Sequence, residues 1–210
     1  PSLVCLENTH NRGGGTIWPM DKLKSVAEAA RKHNLLLHLD GARLWNASVA
    51  SGIREADYAS IFDTVSVCFS KGLGAPVGSL LAGSFLAIEK ARFYRKQQGG
   101  AMRQVGILAE AAKYALKHNR NRLSEDHKNC QILAKGLAKL PGIEVDKAGP
   151  ETNMLFIKTG NHDAADLVKR FEGLGVRLLQ TGQNTLRVVT NLTVKREEIK
   201  EVLSAFEHLT

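Results

Sequence analysis

Two residues with complementary chemistry follow two apolar runs of this sequence. Asp40 comes directly after the run Leu35–Leu39, and Lys71 closely follows the run Thr64–Phe69, with small residues around it. A lysine that is held neutral can form an imine with an aldehyde, and a carboxylate can keep a pyridine nitrogen protonated so that the ring accepts electrons. The pair therefore predicts a pyridoxal 5'-phosphate (PLP) cofactor, with Lys71 as the catalytic residue.

The segments around this pair alternate between strand and helix. A helix is predicted to begin after Pro19, because apolar residues recur there at helical spacing. Four short apolar runs predict strands, at residues 2–6, 35–39, 64–69 and 77–82. Such alternation is typical of a parallel sheet, in which ligands bind beyond the carboxyl ends of the strands. Asp40, expected in the loop after its strand, and Lys71 should therefore lie at the same edge.

Each of these residues also has an ordinary structural interpretation. A lysine in a Gly-rich turn is commonly exposed, and Asp40 can cap the helix predicted at residues 43–50. Arg43 can reach a ligand from the first turn of that helix, or can form an ion pair with Asp40 or Glu55. We favour the cofactor interpretation because Asp40 and Lys71 occur together.

The sequence changes character after Gly83. Periodicity predicts helices at residues 84–98 and across most of residues 102–140, with Gly99–Gly100 between them. The remainder predicts a compact α+β arrangement, with strands at residues 143–145, 153–158, 176–179 and 185–190 and helices at residues 164–174 and 196–209. The predicted fold class is α/β, with a mainly parallel sheet and helices followed by a small α+β domain.

Composition narrows the classes of function. The 210 residues are 43% hydrophobic, and no apolar run approaches the roughly 18 residues that a membrane-spanning helix needs. The formal net charge is +8, but aromatic residues make up only 6%. We therefore expect the basic residues on solvated helix faces or in contacts with anions rather than on a nucleic-acid-binding surface.

The cysteines indicate the cellular environment. Cys5, Cys68 and Cys130 are far apart and show no CxxC spacing, so neither a metal site nor a disulfide framework is predicted. Cys5 and Cys68 lie in apolar strand patterns, which predicts buried and reduced thiols. Reduced thiols fit a reducing compartment, and we expect a cytoplasmic protein.

Three motifs, in this order along the chain, carry a resemblance to a known family. They are residues 38–47 (HLDGARLWNA), 70–79 (SKGLGAPVGS) and 99–104 (GGAMRQ). They resemble the low-specificity L-threonine aldolases, which have the aspartate-aminotransferase-like fold, PLP fold type I. Shorter matches extend the resemblance over nearly the whole chain, at residues 6–11, 125–127, 152–153 and 187–190. The resemblance implies part of the large PLP-binding domain at residues 1–95, a helical linker at 96–140 and a small C-terminal α+β domain at 141–210.

The resemblance also implies a role for each candidate cofactor-binding residue. Lys71 would bind the cofactor covalently, Asp40 would pair with the pyridinium nitrogen, and Arg43 would contact the oxygen side of the ring. Lys96 and Arg103 would lie near the cofactor phosphate of the same or a neighbouring subunit. The family's phosphate-binding loop and ring-stacking histidine have no counterpart in this sequence, which predicts a chain truncated at its N-terminus.

The reaction implied by the resemblance is retro-aldol cleavage of L-threonine or L-allo-threonine to glycine and acetaldehyde. Arg187 would hold the carboxylate of this amino-acid substrate by a bidentate pair. The preference between the two substrates and the general base stay open. The implied assembly is a homotetramer with shared active sites, without nucleic acid or membrane. Two alternatives are kept: a PLP-dependent β-eliminating lyase acting on another amino acid, and an inactive truncated subunit with exposed apolar surface and poor solubility.

Overall fold

The computed structural model describes residues 1–209, which form two compact units. Unit 1 contains residues 1–10 and 17–121, and unit 2 contains residues 11–16 together with the chain from Arg122 onward. The boundary at Arg122 falls inside the segment 96–140 that the sequence predicts as a helical linker. The division into domains at residues 1–95, 96–140 and 141–210 stays a prediction.

Unit 1 combines a four-stranded sheet with helices. The strands lie in the order β1-β2-β3-β4, and the first three are parallel while β4 is antiparallel to β3. This arrangement confirms the predicted α/β class with a mainly parallel sheet. The elements are β1 (Leu3–Glu7), α1 (Met20–Lys32), β2 (Leu36–Gly41), α2 (Leu44–Ser51), α3 (Glu55–Ala59), β3 (Thr64–Cys68), β4 (Ser79–Gly83), α4 (Phe85–Gln97) and α5 (Gly106–Asn119).

The core of unit 1 forms where β2 meets the helices that follow and precede it. Leu37 and Leu39 alternate along β2 and are fully buried, in one cluster with Leu23 of α1 and Tyr58 of α3. Burying each such side chain contributes about 1.5–3 kcal/mol. Because a slip of one residue would turn both leucines outward, this burial fixes the register of β2 and the place where the strand ends.

Asp40 is the main correction to the sequence prediction in unit 1. It lies on β2 itself rather than in a following loop, because β2 extends to Gly41 and Asp40 pairs with Ser66 of β3. A Cβ atom on Gly41 would lie 2.7 Å from the carbonyl oxygen of Ser66. The missing side chain therefore permits the close backbone approach that continues the strand past Asp40.

Two further features of unit 1 differ from the sequence predictions. The helix α3 was not predicted, because five residues are too few to establish a helical period. Cys5 is exposed and Cys68 only partly buried, whereas buried thiols were predicted. β1 is an edge strand of this sheet, and its alternation leaves Leu3 and Cys5 accessible.

Unit 2 is an α+β unit with an antiparallel sheet. Its strands lie in the order β5-β6-β8-β7, and its combination of strands and helices agrees with the predicted small α+β domain. The core contains Phe171 and Phe206, whose ring centroids are 4.2 Å apart. The elements are α6 (Leu123–Leu137), β5 (Glu144–Val145), β6 (Met154–Lys158), α7 (Ala164–Glu172), β7 (Leu179–Gly182), β8 (Thr185–Val189) and α8 (Arg196–Leu209).

The strand predicted at residues 176–179 is misplaced. β7 covers Leu179–Gly182, while Val176 and Leu178 pack against the core without joining the ladder. Pairing with β8 also shifts register between Gln180 and Gly182. The apolar residues at 176–179 are therefore explained by packing in a loop rather than by strand pairing.

Within residues 1–209, none of the helices combines the length and apolar character needed to cross a bilayer.

Candidate active site

Asp40 lies near the carboxyl end of β2, between two parallel neighbours. Its backbone is in register with Glu7 of β1 and Ser66 of β3. The side chain is exposed, and its Oδ1 accepts a hydrogen bond of 3.0 Å from the N–H of Ala42. Because α2 begins only at Leu44, Asp40 is not its N-cap. Oδ2 accepts no hydrogen bond from residues 1–209, so one carboxylate oxygen is available to a donor.

Lys71 lies in a tight turn that follows β3. The N–H of Gly74 donates to the carbonyl of Lys71 at 2.8 Å, and the N–H of Ala75 donates to the carbonyl of Phe69 at 3.0 Å. Gly74 has a φ of +74°, a left-handed conformation that favours glycine. The Lys71 side chain is exposed. Because β2 and β3 are parallel neighbours, Asp40, near the carboxyl end of β2, and Lys71, after β3, lie at the same edge of the sheet.

The Lys71 turn is anchored to α5. Leu73 is 1% exposed, and its carbonyl accepts a hydrogen bond of 2.8 Å from Nδ2 of Asn119. The next residue, Arg120, pairs bidentately with Glu55 of α3 at 2.7 and 2.6 Å, and this hydrogen bonding raises the pKa of Arg120 above its usual value. These contacts fix the backbone that carries Lys71 by way of α5 and α3.

A second set of contacts joins the end of β3 to α2. Nε1 of Trp45 donates to the carbonyl of Cys68 at 3.0 Å, and the Trp45 ring stacks on Phe69 with centroids 6.1 Å apart. Arg43 is partly buried and directly precedes α2. The position of Arg43 is therefore tied to the strand that leads to Lys71.

Lys96 and Arg103 lie on either side of the predicted Gly99–Gly100 break. Lys96 is in the last turn of α4, Arg103 is in the segment before α5, and both side chains are exposed. In the part of the chain that the structure describes, neither side chain has a hydrogen bond or an ion pair. The structure does not join them to Asp40 or Lys71, and their role at a phosphate stays a prediction.

Arg187 is in unit 2, on β8 between its neighbours β6 and β7. Its Nη1 donates a hydrogen bond of 3.0 Å to Oδ1 of Asn11. Its Nε is buried and has no hydrogen-bond partner among the described residues. Arg187 takes part in none of the ion pairs formed within residues 1–209. Its charge is therefore not neutralised by a carboxylate of those residues.

Sequence reasoning missed two buried polar residues directly after β1. The N–H of Asn8 donates to the carbonyl of Asp40 at 2.9 Å, and Asn8 and Thr9 are 0% and 1% exposed. Nδ2 of Asn8 and Oγ1 of Thr9 have no hydrogen-bond partner within residues 1–209. An unpaired buried polar group costs about 1–3 kcal/mol. The sequence signal that could have found them is a polar pair directly after an apolar strand.

Unit 2 also buries a polar cluster at the start of α6. Arg122 pairs with the carboxylate of Asp126, and Oγ1 of Thr190 donates to the carbonyl of Asp126 at 2.6 Å. Burial raises the pKa of the Asp126 carboxyl group and lowers the pKa of His127 to about 4. Thr190 directly follows β8, so this cluster holds the end of the strand that carries Arg187.

Comparison with known proteins identifies relatives along most of the chain. The family model described as beta-eliminating lyase matches residues 1–160. The low-specificity L-threonine aldolase 1 of Arabidopsis thaliana is 42% identical over 208 residues, which are 98% of this chain and 58% of that protein. The low specificity L-threonine aldolase of Escherichia coli strain K12 is 44% identical over 200 residues, 95% of this chain and 58% of that protein. This chain spans about three fifths of the length of these curated relatives.

Solved structures have the same fold. A putative L-allo-threonine aldolase from Listeria monocytogenes superimposes with a TM-score of 0.83 at 22% identity, covering 97% of this chain and 60% of that one. The threonine aldolase of Leishmania major gives a TM-score of 0.81 at 24% identity, covering 100% of this chain and 61% of that one. At these identities the structural likeness establishes the fold alone.

Proposed function

The chain belongs to the beta-eliminating lyase family, and on that premise we propose that it acts as a PLP-dependent aldehyde-lyase. The proposed reaction is the cleavage of L-threonine or L-allo-threonine to glycine and acetaldehyde. The observation that carries the proposal is the occurrence of Asp40 and Lys71 at the same edge of a parallel sheet. The relatives named L-threonine aldolase, at 42% and 44% identity, support the choice of reaction.

The residues at this edge fit the proposed cofactor. Oδ2 of Asp40 has no donor within residues 1–209 and suits a protonated ring nitrogen, while Lys71 offers an exposed amine. Nδ2 of Asn8 is an unmet donor in the same part of unit 1. The site thus offers a carboxylate, an amine and an amide donor. A cofactor with a ring nitrogen, an aldehyde and a phenolic oxygen requires groups of these three kinds.

Each side chain then has a separate task. Pyridoxal phosphate, when bound, supplies an electron sink for the bond that breaks at the substrate Cα. Asp40 would hold the proton on the ring nitrogen, and Lys71 would bind the cofactor aldehyde through Nζ. Arg43 would donate to the ring oxygen, and Lys96 and Arg103 would hold the phosphate.

Arg187 would bind the carboxylate of the amino-acid substrate. Two observations support this role: the guanidinium pairs with a neutral amide rather than with a carboxylate, and its Nε is an unmet donor. A guanidinium whose charge is not cancelled by the protein can form a strong bidentate pair with a ligand carboxylate.

The reaction is tested with the protein expressed from its complete gene and loaded with PLP. Acetaldehyde and glycine are measured from L-threonine and L-allo-threonine, in wild type and in Asp40→Asn. We expect cleavage in wild type and a loss of at least about a hundredfold in the variant, since the neutral amide no longer stabilises the ring proton. Asp21→Asn, an exposed aspartate of α1, is the matched control. Wild-type protein without acetaldehyde production would contradict the proposal.

A β-elimination reaction is the second candidate, because the matching family is described by that chemistry. Asp40 and Lys71 suit both reactions, since both need the same electron sink. Measuring ammonia and a 2-oxo acid from several amino acids, beside acetaldehyde and glycine from threonine, separates the two. An inactive subunit is the remaining alternative, and titration of the 210-residue chain with PLP tests it directly, since tight binding would exclude that alternative.

We also propose that the protein assembles into a homotetramer with shared active sites in the cytoplasm. The support is a set of exposed apolar side chains on β4, on α4, on α5 and in the segment between these two helices, which we call the apolar surface of unit 1. Large apolar side chains left exposed close together in the sequence are typical of a protein interface. Sedimentation of the protein expressed from its complete gene tests the assembly. The most exposed members of this surface are Phe85, Leu86, Phe93, Met102, Ile107 and Tyr114.

A further inference from the structure

A loop near the N-terminus of the sequence contacts Arg187. Residues 11–16 belong to unit 2, and Oδ1 of Asn11 accepts a hydrogen bond of 3.0 Å from Nη1 of Arg187. The two residues are 176 positions apart in the sequence. The contact is therefore a product of the fold, and no local pattern in the sequence accounts for it.

The loop that carries Asn11 is fastened to Thr152, two residues before β6. The carbonyl of Gly15 accepts a buried hydrogen bond of 2.7 Å from Oγ1 of Thr152. Gly15 has a φ of +77°, and a Cβ atom there would lie 2.5 Å from the same Oγ1. Within the loop, the N–H of Gly14 donates to the carbonyl of Asn11 at 3.3 Å. Glycine thus permits a backbone approach that fixes Asn11 relative to the sheet.

The chemical type of the partner distinguishes Arg187 from other arginines of this chain. Arg31, Arg54 and Arg120 each donate to a carboxylate, at 2.7, 2.7 and 2.6 Å. Arg187 donates to an amide oxygen instead. An amide holds the guanidinium in place by one hydrogen bond and leaves its full charge, whereas a carboxylate would hold it and cancel the charge.

We propose that Asn11 is a positioning residue that orients Arg187 without neutralising it, and so sets the affinity of the site for the substrate carboxylate. This inference rests on the proposed function, in which Arg187 binds that carboxylate. Asn11 itself does not need to touch the substrate. Thr152 contributes indirectly, because it holds the loop from which Asn11 reaches the guanidinium.

The test compares Asn11→Asp and Asn11→Ala in the PLP-loaded protein expressed from its complete gene. Glycine and methylamine are titrated, and binding is read from the absorbance change of the bound PLP, alongside kcat and KM for threonine. We expect Asn11→Asp to weaken glycine binding and raise KM by at least about tenfold, because the new carboxylate competes for Arg187. Asn11→Ala should have a smaller effect, and methylamine affinity should stay within about twofold in both variants.

Two further variants keep the test decisive. Asn161→Asp makes the same charge change at an exposed residue of unit 2 and should leave glycine affinity unchanged. Thr152→Val removes the hydroxyl that anchors the loop and should weaken glycine binding but not methylamine binding, even if Asn11→Asp fails to fold. Equal glycine affinity in wild type, Asn11→Asp and Thr152→Val would overturn the inference while threonine cleavage by wild type upholds the proposed function. Wild-type protein that neither cleaves threonine nor binds glycine would overturn both.

Discussion

The side chain of Asn119 donates a hydrogen bond of 2.8 Å to the carbonyl of Leu73, two residues after Lys71. Leu73 itself is buried, so this turn is held both by packing and by a polar contact from α5. A turn fixed in this way keeps the amine of Lys71 near one location, which a covalent bond to a bound cofactor requires.

Replacing Asn119 by alanine should loosen this turn. The Leu73 carbonyl would lose its partner in a partly buried position, and we expect a loss of about 1–3 kcal/mol in the free energy of unfolding. The Kd for PLP should rise as well, because the amine is less well positioned. Thermal denaturation and PLP titration measure the two effects. Lys117→Ala, an exposed change on the same helix, should alter neither, and equal behaviour of the two variants would contradict this prediction.

Gly15 should tolerate alanine much less well than Gly52. Both glycines have left-handed backbones, with φ of +77° and +73°, so both variants carry a conformational cost of about 1–2 kcal/mol. Only Gly15→Ala adds a clash, with Oγ1 of Thr152, whereas nothing lies within 4 Å of a Cβ on Gly52. Chemical denaturation should show Gly15→Ala to be the less stable by at least about 1 kcal/mol. An equal loss in the free energy of unfolding in both variants would contradict this prediction, because it would show that the loop accommodates the added Cβ without a further loss of stability.

His127 should make the protein sensitive to mild acid. Its pKa in the folded chain is about 4, because burial disfavours the charged imidazole, whereas an unfolded histidine titrates near pH 6.5. Between these values the unfolded chain binds a proton that the folded chain does not. The contribution of His127 to the free energy of unfolding is therefore complete above about pH 6.5 and is lost as the pH falls toward 4. The free energy of unfolding changes by up to about 1.4 kcal/mol per pH unit in this range.

The measurement is the free energy of unfolding of wild type and His127→Gln at several pH values. We expect the variant to lose less stability than wild type between pH 6.5 and 4. The comparison at each pH removes the opposing contribution of Asp126, whose pKa is raised by burial. His33→Gln, at an exposed position, should retain the wild-type slope. If the free energy of unfolding changed with pH in the same way in wild type and in His127→Gln, the prediction would be wrong, because His127 would then titrate alike in the folded and unfolded chains.

The apolar surface of unit 1 gives a prediction about assembly. Leu86 and Ile107 are 73% and 77% exposed, so replacing both with lysine should raise the solubility of the 210-residue chain. In the protein expressed from its complete gene, the same double variant should reduce the assembled mass in sedimentation experiments. Leu174→Lys, an exposed position in unit 2, should do neither. Unchanged assembly would exclude this surface as the subunit interface.

The sequence could predict the framework of the site because that framework depends on local patterns. The spacing of apolar residues predicts α1, the apolar run at residues 35–39 predicts β2, and the small residues around Lys71 indicate its turn. The extension of β2 through Asp40 was missed, because it depends on the close approach of Gly41 to Ser66 on another strand.

Other features of the candidate site depend on contacts between distant segments. The hydrogen bond between Asn11 and Arg187 joins positions that no periodicity relates. The anchoring of Leu73 by Asn119 likewise joins a turn to the end of a helix 46 residues away. The burial of Asn8 without a partner for its Nδ2 is visible only after the sheet has formed. Such features come from tertiary packing, and local sequence patterns alone do not determine them.

The most direct test of the central claim is to locate the covalent attachment of PLP. The protein expressed from its complete gene is loaded with PLP, reduced with borohydride, digested and examined by peptide mass spectrometry. The label is predicted on the peptide that contains Lys71, and it should disappear in Lys71→Ala while Lys90→Ala, at an exposed position of α4, keeps it. A label on a different lysine, or threonine cleavage by a protein that carries no label, would contradict the assignment of Lys71.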